Sequence, residues 1–269
     1  MRKELLIRGS RLVYEDEGSG PVLVFIHGQP FNRSMWKYQQ ECFASTHRLL
    51  VPDLRGYGES GMREGVVLLD ELALDILHLL ESLAIQQAVF IGLSMGGQVA
   101  LDLYRLRPWI FEGMVLADTE ARAETAEGYR NRQSLAAQME REGMTAFCAQ
   151  RLDQFLCPQT FANQPHIVEH LRNMMETTNP IGAAAVQRGR AERRDHTEIL
   201  RQISCPVLVL VGEEDAFTPV GVARYMQERI PGAELAVIPD AGHIPSMEQP
   251  QAFNAVLHGF LDRIRKCAV

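Results

Sequence analysis

The sequence predicts an α/β fold, a mostly parallel central sheet with helices on both faces, into which one helical segment is inserted. Three observations predict it. Short β-branched runs alternate with longer stretches of helical periodicity, the runs are apolar almost throughout rather than at every second residue, and one long stretch rich in Glu, Arg, Gln, Ala and Met breaks the alternation. Strands that are apolar on both sides belong to a sheet covered on both faces, and strand–helix alternation is what makes such a sheet parallel.

The strand candidates, in chain order, are residues 22–26 (VLVFI), 48–51, 88–91, 113–117, 206–211 and 235–238. Several end in Gly, Pro or Asp, which punctuate a strand. Residues 68–83 carry Leu69, Leu72, Ala73, Ile76, Leu79, Leu80 and Leu83 at helical spacing, and residues 95–106 and 222–230 behave in the same way. From about residue 119 the β-rich runs stop, and they resume only near Cys205. A segment between two parallel strands can grow outward without breaking the core. The expected organisation is therefore a core of residues 1–118 and 199–269 with a helical cap over 119–198, inserted after the sixth strand.

Composition bounds the function. With 269 residues, 46% of them hydrophobic and 23% charged, the chain has the profile of a globular protein that buries roughly 70–75% of its unfolded surface. A formal charge of −7 argues against nucleic acid as a partner, because such binders present a basic face. No window supplies the ~18 apolar residues of a membrane span, and the chain reads as cytoplasmic. Cys42, Cys148, Cys157, Cys205 and Cys267 form no C-x-x-C pair and no metal-ligand spacing with His, so they read as reduced thiols. No dinucleotide or phosphate loop and no metal cluster is visible; neither a cofactor nor a metal is implied.

Gly92-Leu93-Ser94-Met95-Gly96 stands directly after one predicted strand and directly before a helical pattern. On such a strand-to-helix turn the glycines let neighbouring backbone pass close while the serine hydroxyl projects from the sheet edge. The helix N-terminus behind it offers unpaired N–H groups to a developing oxyanion. A serine hydroxyl needs a base to take its proton, and the base needs a carboxylate to orient it. Asp215 follows the strand 206–211 and His243 follows 235–238, both in loops at the same edge. Asp118, after the strand 113–117, is an alternative acid, whereas Glu213 and Glu214 read as solvated charges. His27 reads as a turn residue bonded to backbone, and His47, His78, His166, His170, His196 and His258 as ordinary surface or core histidines.

The order Ser94, Asp215, His243 is that of one fold, and the chain resembles the α/β-hydrolases over nearly its whole length. The matching stretches are Phe25-Ile-His-Gly-Gln-Pro30, Asp53-Leu-Arg-Gly-Tyr-Gly-Glu-Ser60, Gly92-Leu-Ser-Met-Gly-Gly97, Gly212-Glu-Glu-Asp215 and Gly242-His-Ile-Pro-Ser-Met-Glu-Gln-Pro250. The resemblance implies Ser94 as nucleophile, His243 as base and then acid, Asp215 as orienter, and the backbone N–H groups of Gln29 and Met95 as oxyanion hole. Dehalogenases and epoxide hydrolases of this fold carry Asp where this chain has Ser94, so the implied chemistry is an acyl enzyme with a carbonyl substrate. The chain is similar to carboxylesterases, enol-lactonases and esterases of acyl-carrier methyl esters. Carbon–carbon bond hydrolases, thioesterases and slow-turnover ligand sensors share the same residues.

Substrate signals are thinner. Phe31, Met35 and Trp36 follow the oxyanion turn, and Phe217 and Ile244 adjoin the other two site residues; lining by these would favour an apolar acyl or alcohol group. Met139, Met144, Phe147, Met174 and Met175 read as packing the cap onto the sheet. Arg188, Arg190, Arg193 and Arg194 could hold a carboxylate or an acidic carrier protein. Glu192, Asp195 and Glu198 lie among them, which reads instead as a solvated, salt-bridged helix face. The expected partner is a small ester or lactone, a carrier protein is left unsupported, and the chain reads as a monomer or homodimer.

Overall fold

The computed structural model describes residues 1–267, with side chains to Lys266. Among them are eight strands: β1 (Arg2–Ile7), β2 (Ser10–Glu17), β3 (Val22–Ile26), β4 (Arg48–Pro52), β5 (Ala88–Leu93), β6 (Phe111–Ala117), β7 (Val207–Gly212) and β8 (Glu234–Ile238). They form one sheet in the order β1-β2-β4-β3-β5-β6-β7-β8. β2 is antiparallel to β1 and β4, and every other pair is parallel. β5 and β7 are buried at every residue, as unbroken apolar runs require.

Two strands differ from the sequence reading. β1 and β2 lie at a sheet edge where Arg2, Lys3 and Glu4 face solvent, and charge of this kind protects an edge from pairing with another chain. The same charge hides the strand from a search for apolar runs. Only Leu12, Val13 and Tyr14 of β2 enter the core.

Helices α1 (Lys37–Phe43), α2 (Leu69–Ser82) and α3 (Met95–Leu106) connect β3, β4, β5 and β6 in turn. The chain steps from β3 to β4 in one direction across the sheet, then reverses to place β5 on the other side of β3. Because parallel crossovers are right-handed, α1 lies on one face and α2 and α3 on the other. The reversal opens a crevice beyond the carboxyl ends of β3 and β5, where open α/β sheets bind their ligands.

Between β6 and β7 the chain is helical: α4 (Ala126–Arg151), α5 (Pro158–Asn163), α6 (Pro165–Thr177), α7 (Pro180–Ala191) and α8 (Thr197–Leu200). Proline opens α5, α6 and α7, a position where its missing N–H costs no bond. Gly143, at φ 78°, bends α4 between Met139 and Phe147. α9 (Val220–Gln227) joins β7 to β8, and α10 (Pro245–Glu248) and α11 (Pro250–Cys267) close the chain. No helix among the described residues is long and apolar enough to cross a membrane.

Candidate active site

Ser94 links β5 to α3 at φ 55°, ψ −113°. A non-glycine residue holds such a conformation only where its surroundings over-determine it. Here the Ser94 N–H donates to the Ala117 carbonyl at 2.8 Å, and its own carbonyl accepts from Thr119 Oγ1 at 2.6 Å. The turn is also too tight for side chains around it: a Cβ on Gly96 would stand 2.1 Å from the Ile26 carbonyl oxygen.

His243 lies in the loop after β8, 3% exposed, with Nδ1 2.8 Å from Asp215 Oδ2. Asp215 also accepts from the N–H groups of Phe217 (2.8 Å) and Thr218 (3.2 Å) and from the Thr218 hydroxyl. Burial pushes its carboxyl upward, but the His243 charge and these hydrogen bonds outweigh that and hold it at about 2. The carboxylate is charged at neutral pH and fixes the imidazole with Nδ1 protonated, leaving Nε2 to accept a proton.

Asp118 follows β6 within 4.8 Å of the same group, yet its Oδ1 accepts from the Gly212 N–H at 2.8 Å and its Oδ2 has no partner. Burial first, and then the Asp215 charge, push Asp118 well above the usual carboxylate range. The donors of Asp118, Asp215 and His243 are close enough to ligate an ion. Asp215, however, already accepts from three protein groups besides His243, an arrangement suited to orienting the imidazole.

Ser94 and His243 line one cavity of about 540 Å³, a volume suited to a small molecule. Gln29, in the loop after β3, also lines it. Neither the Gln29 nor the Met95 backbone N–H donates to a protein acceptor among the described residues. His27 is a backbone tie: its Nε2 accepts from the Leu54 N–H at 2.9 Å and its Nδ1 faces the Gly28 carbonyl at 2.8 Å.

The expected aromatic lining divides. Phe217, 42% exposed, lines the cavity with its ring edge-on to His243 at 4.9 Å. Trp36 and Phe31 do not line it. Trp36 is fully buried against Phe25 and Phe253, and Phe31 sits behind Phe155, whose ring takes the wall position. Met139 and Phe147 reach the wall from α4, on either side of its bend, whereas Met144, Met174 and Met175 are buried packing. The arginine cluster divides too: Arg188 and Arg194 pair with Glu140 and Asp70 near the surface, while Arg190 and Arg193 line the cavity.

Three residues that shape the site escaped the sequence reading. Thr119 and Thr218 hold Ser94 and Asp215 as described, and Glu248 accepts the N–H groups of Gly242 and Ile244 on either side of His243, and that of Cys157 from the helical segment. Glu248 falls within a motif stretch, but nothing in the sequence indicates which amides it meets.

Comparison with known proteins agrees with this architecture. The sequence model of the Alpha/beta hydrolase family matches residues 23–256. The chain is 33% identical to 3-oxoadipate enol-lactonase 2 of Acinetobacter baylyi, over 90% of this chain and 89% of that one. Among solved structures, a thermophilic esterase from Thermogutta terrifontis with malate bound superposes with a TM-score of 0.95 at 37% identity, covering 98% and 99% of the two chains. The enol-lactonase from Burkholderia xenovorans gives 0.90 at 27% identity, covering 97% and 100%.

Proposed function

The chain belongs to the alpha/beta hydrolase family, and from that premise we propose that it is a serine hydrolase cleaving carboxylic esters or lactones of small molecules through an acyl-enzyme intermediate. Ser94 Oγ attacks the carbonyl carbon as His243 Nε2 takes its proton. The oxyanion is met by the N–H groups of Gln29 and Met95, and charge that develops in the transition state is where fixed donors lower a barrier most. His243 then protonates the departing alkoxide, the alcohol leaves, and water attacks the Ser94 ester by the same route. Asp215 orients His243 and stabilises the imidazolium throughout.

The observation that carries this reading is the 2.8 Å contact of His243 Nδ1 with Asp215 in the same cavity as a serine held on a strained turn. The enol-lactonase and esterase relatives support it from outside. Residues 119–198 act as a cap over the cavity, and Phe217 contacts the acyl or alcohol group. The free thiols of Cys42, Cys148, Cys157 and Cys205 support a reducing, cytoplasmic setting.

The test is a steady-state panel of p-nitrophenyl esters of rising chain length with a few lactones, on wild type and Ser94→Ala. Turnover of about one per second or more is expected on at least one substrate, with loss of at least about a thousandfold in the variant. Ester hydrolysis retained by Ser94→Ala would overturn the assignment.

A further inference from the structure

We infer that Arg190 forms an anion subsite beside the reacting centre, and that the ester or lactone cleaved here carries a carboxylate a few bonds from the scissile carbonyl. This rests on the hydrolase reading above and narrows it to a substrate class.

Arg190 stands on α7, only 9% exposed, in the wall of the cavity that holds Ser94 and His243. Its Nε donates to Gln98 Oε1 at 3.3 Å and its Nη1 to Gln29 Oε1 at 3.1 Å. A guanidinium has five N–H donors, so three are left without a protein acceptor among the described residues. Among the described residues no Asp or Glu pairs with Arg190, whereas Arg188, Arg193 and Arg194 beside it in sequence each have a carboxylate. A buried charge without a partner is costly, and proteins ordinarily pair it. Burial, with the like charges of Arg132 and Arg193, pulls Arg190 well below the usual guanidinium range. Guanidinium nevertheless keeps its proton in proteins, which leaves a cation on the cavity wall that no carboxylate of the described residues pairs directly.

The surrounding wall has the same sign. Arg122 pairs with Glu120, and Arg132 and Arg193 share Glu124. Arg151 lies against the Phe147 ring with a buried Nε that has no acceptor. Five arginines thus face two glutamates on the cavity wall of a chain whose formal charge is −7. Positive charge is gathered where a substrate would enter.

Gln29 sets the spacing. Its backbone N–H belongs to the proposed oxyanion hole and its side-chain oxygen holds Arg190. A glutamine spans about 6 Å from amide nitrogen to side-chain oxygen, and with a hydrogen bond of about 3 Å at each of the three joints a carboxylate on Arg190 would lie at most about 15 Å from the oxyanion, and nearer wherever that path bends. The planar fork of a guanidinium matches a carboxylate through two parallel N–H bonds.

The experiment compares kcat/KM for the monomethyl esters of succinate, glutarate and adipate with that for the dimethyl esters of the same acids, on wild type, Arg190→Met and Arg190→Lys. Wild type should favour the half-ester by roughly ten- to hundredfold for at least one chain length, chiefly through KM. Arg190→Met should erase that preference and Arg190→Lys retain part of it. The free diacids should inhibit wild type competitively, which carries the test even where a variant does not fold. Equal use of half-esters and diesters without inhibition by any diacid would overturn the subsite and leave the hydrolase reading intact; so would a preference unchanged in Arg190→Met. If no ester is turned over but the diacids still bind wild type by calorimetry, the hydrolase reading fails while the subsite stands.

Discussion

Two carboxylates, Asp118 and Asp215, end neighbouring strands near one imidazole, and their surroundings assign them different states. Asp215 meets His243 Nδ1 and four hydrogen-bond donors in all, whereas Asp118 has one backbone donor and a bare oxygen. Asp215→Asn is therefore expected to lower kcat by about ten-thousandfold, by presenting His243 with the wrong tautomer, and Asp118→Asn by less than about tenfold. Comparable losses in the two variants would mean that the acids share the role. The types and order of Ser94, Asp215 and His243, each just past a strand, were readable from the sequence because strand ends are marked by apolar runs. Asp215 was preferred to Asp118 there on chain order and resemblance, and the imidazole faces Asp215; strand-edge position alone does not separate the two acids. Phe31 and Trp36 show the same gap: a residue next to a turn can point into the cavity or into the core, and local sequence carries no sign of which.

Among the elements, the buried parallel strands were legible because burial on both faces demands apolar residues at every position. β1 and β2 were not, being half solvated and guarded by charge. The joint between the loop before β4 and the C-terminal helix was equally hidden. His47 Nε2 stands 2.6 Å from an Arg265 guanidinium nitrogen, and His47 packs edge-on to Phe43. Burial, reinforced by the charges of Arg265 and His258, pulls His47 down to about 4, below the ~6.5 of a free imidazole. The folded chain then binds this proton less readily than the unfolded chain does. The contribution is whole above pH ~6.5 and is lost as pH falls toward 4. Urea melts of wild type across this window should show falling stability, with a shallower fall in His47→Gln. Identical slopes would show that His47 does not govern it.

At the scale of the whole molecule, the helical segment between β6 and β7 is coupled to the loop that carries His243. The His243 N–H donates to the Phe155 carbonyl at 3.0 Å, and Glu248 gathers the N–H groups of Cys157, Gly242 and Ile244 at 2.7, 2.8 and 3.2 Å. Glu248→Ala would leave three buried donors unpaired, at a cost of about 3 kcal/mol or more. A clear fall in melting temperature is expected, together with a loss of turnover larger than the stability change explains; an unchanged melting temperature would remove Glu248 from this role. The helical stretch between β6 and β7 was visible in the sequence as an interruption of the β-rich runs. Its docking was not, because amides on either side of the junction meet only after the chain has folded. Passage of the reaction through an ester on Ser94 can be read by quenching wild type during turnover of p-nitrophenyl butyrate and mapping the acyl group by peptide mass spectrometry. One butyryl group is expected on the peptide bearing Ser94 in wild type, and none in Ser94→Ala. Steady product formation by an enzyme whose Ser94 is never acylated, or an acyl group on another residue, would contradict it.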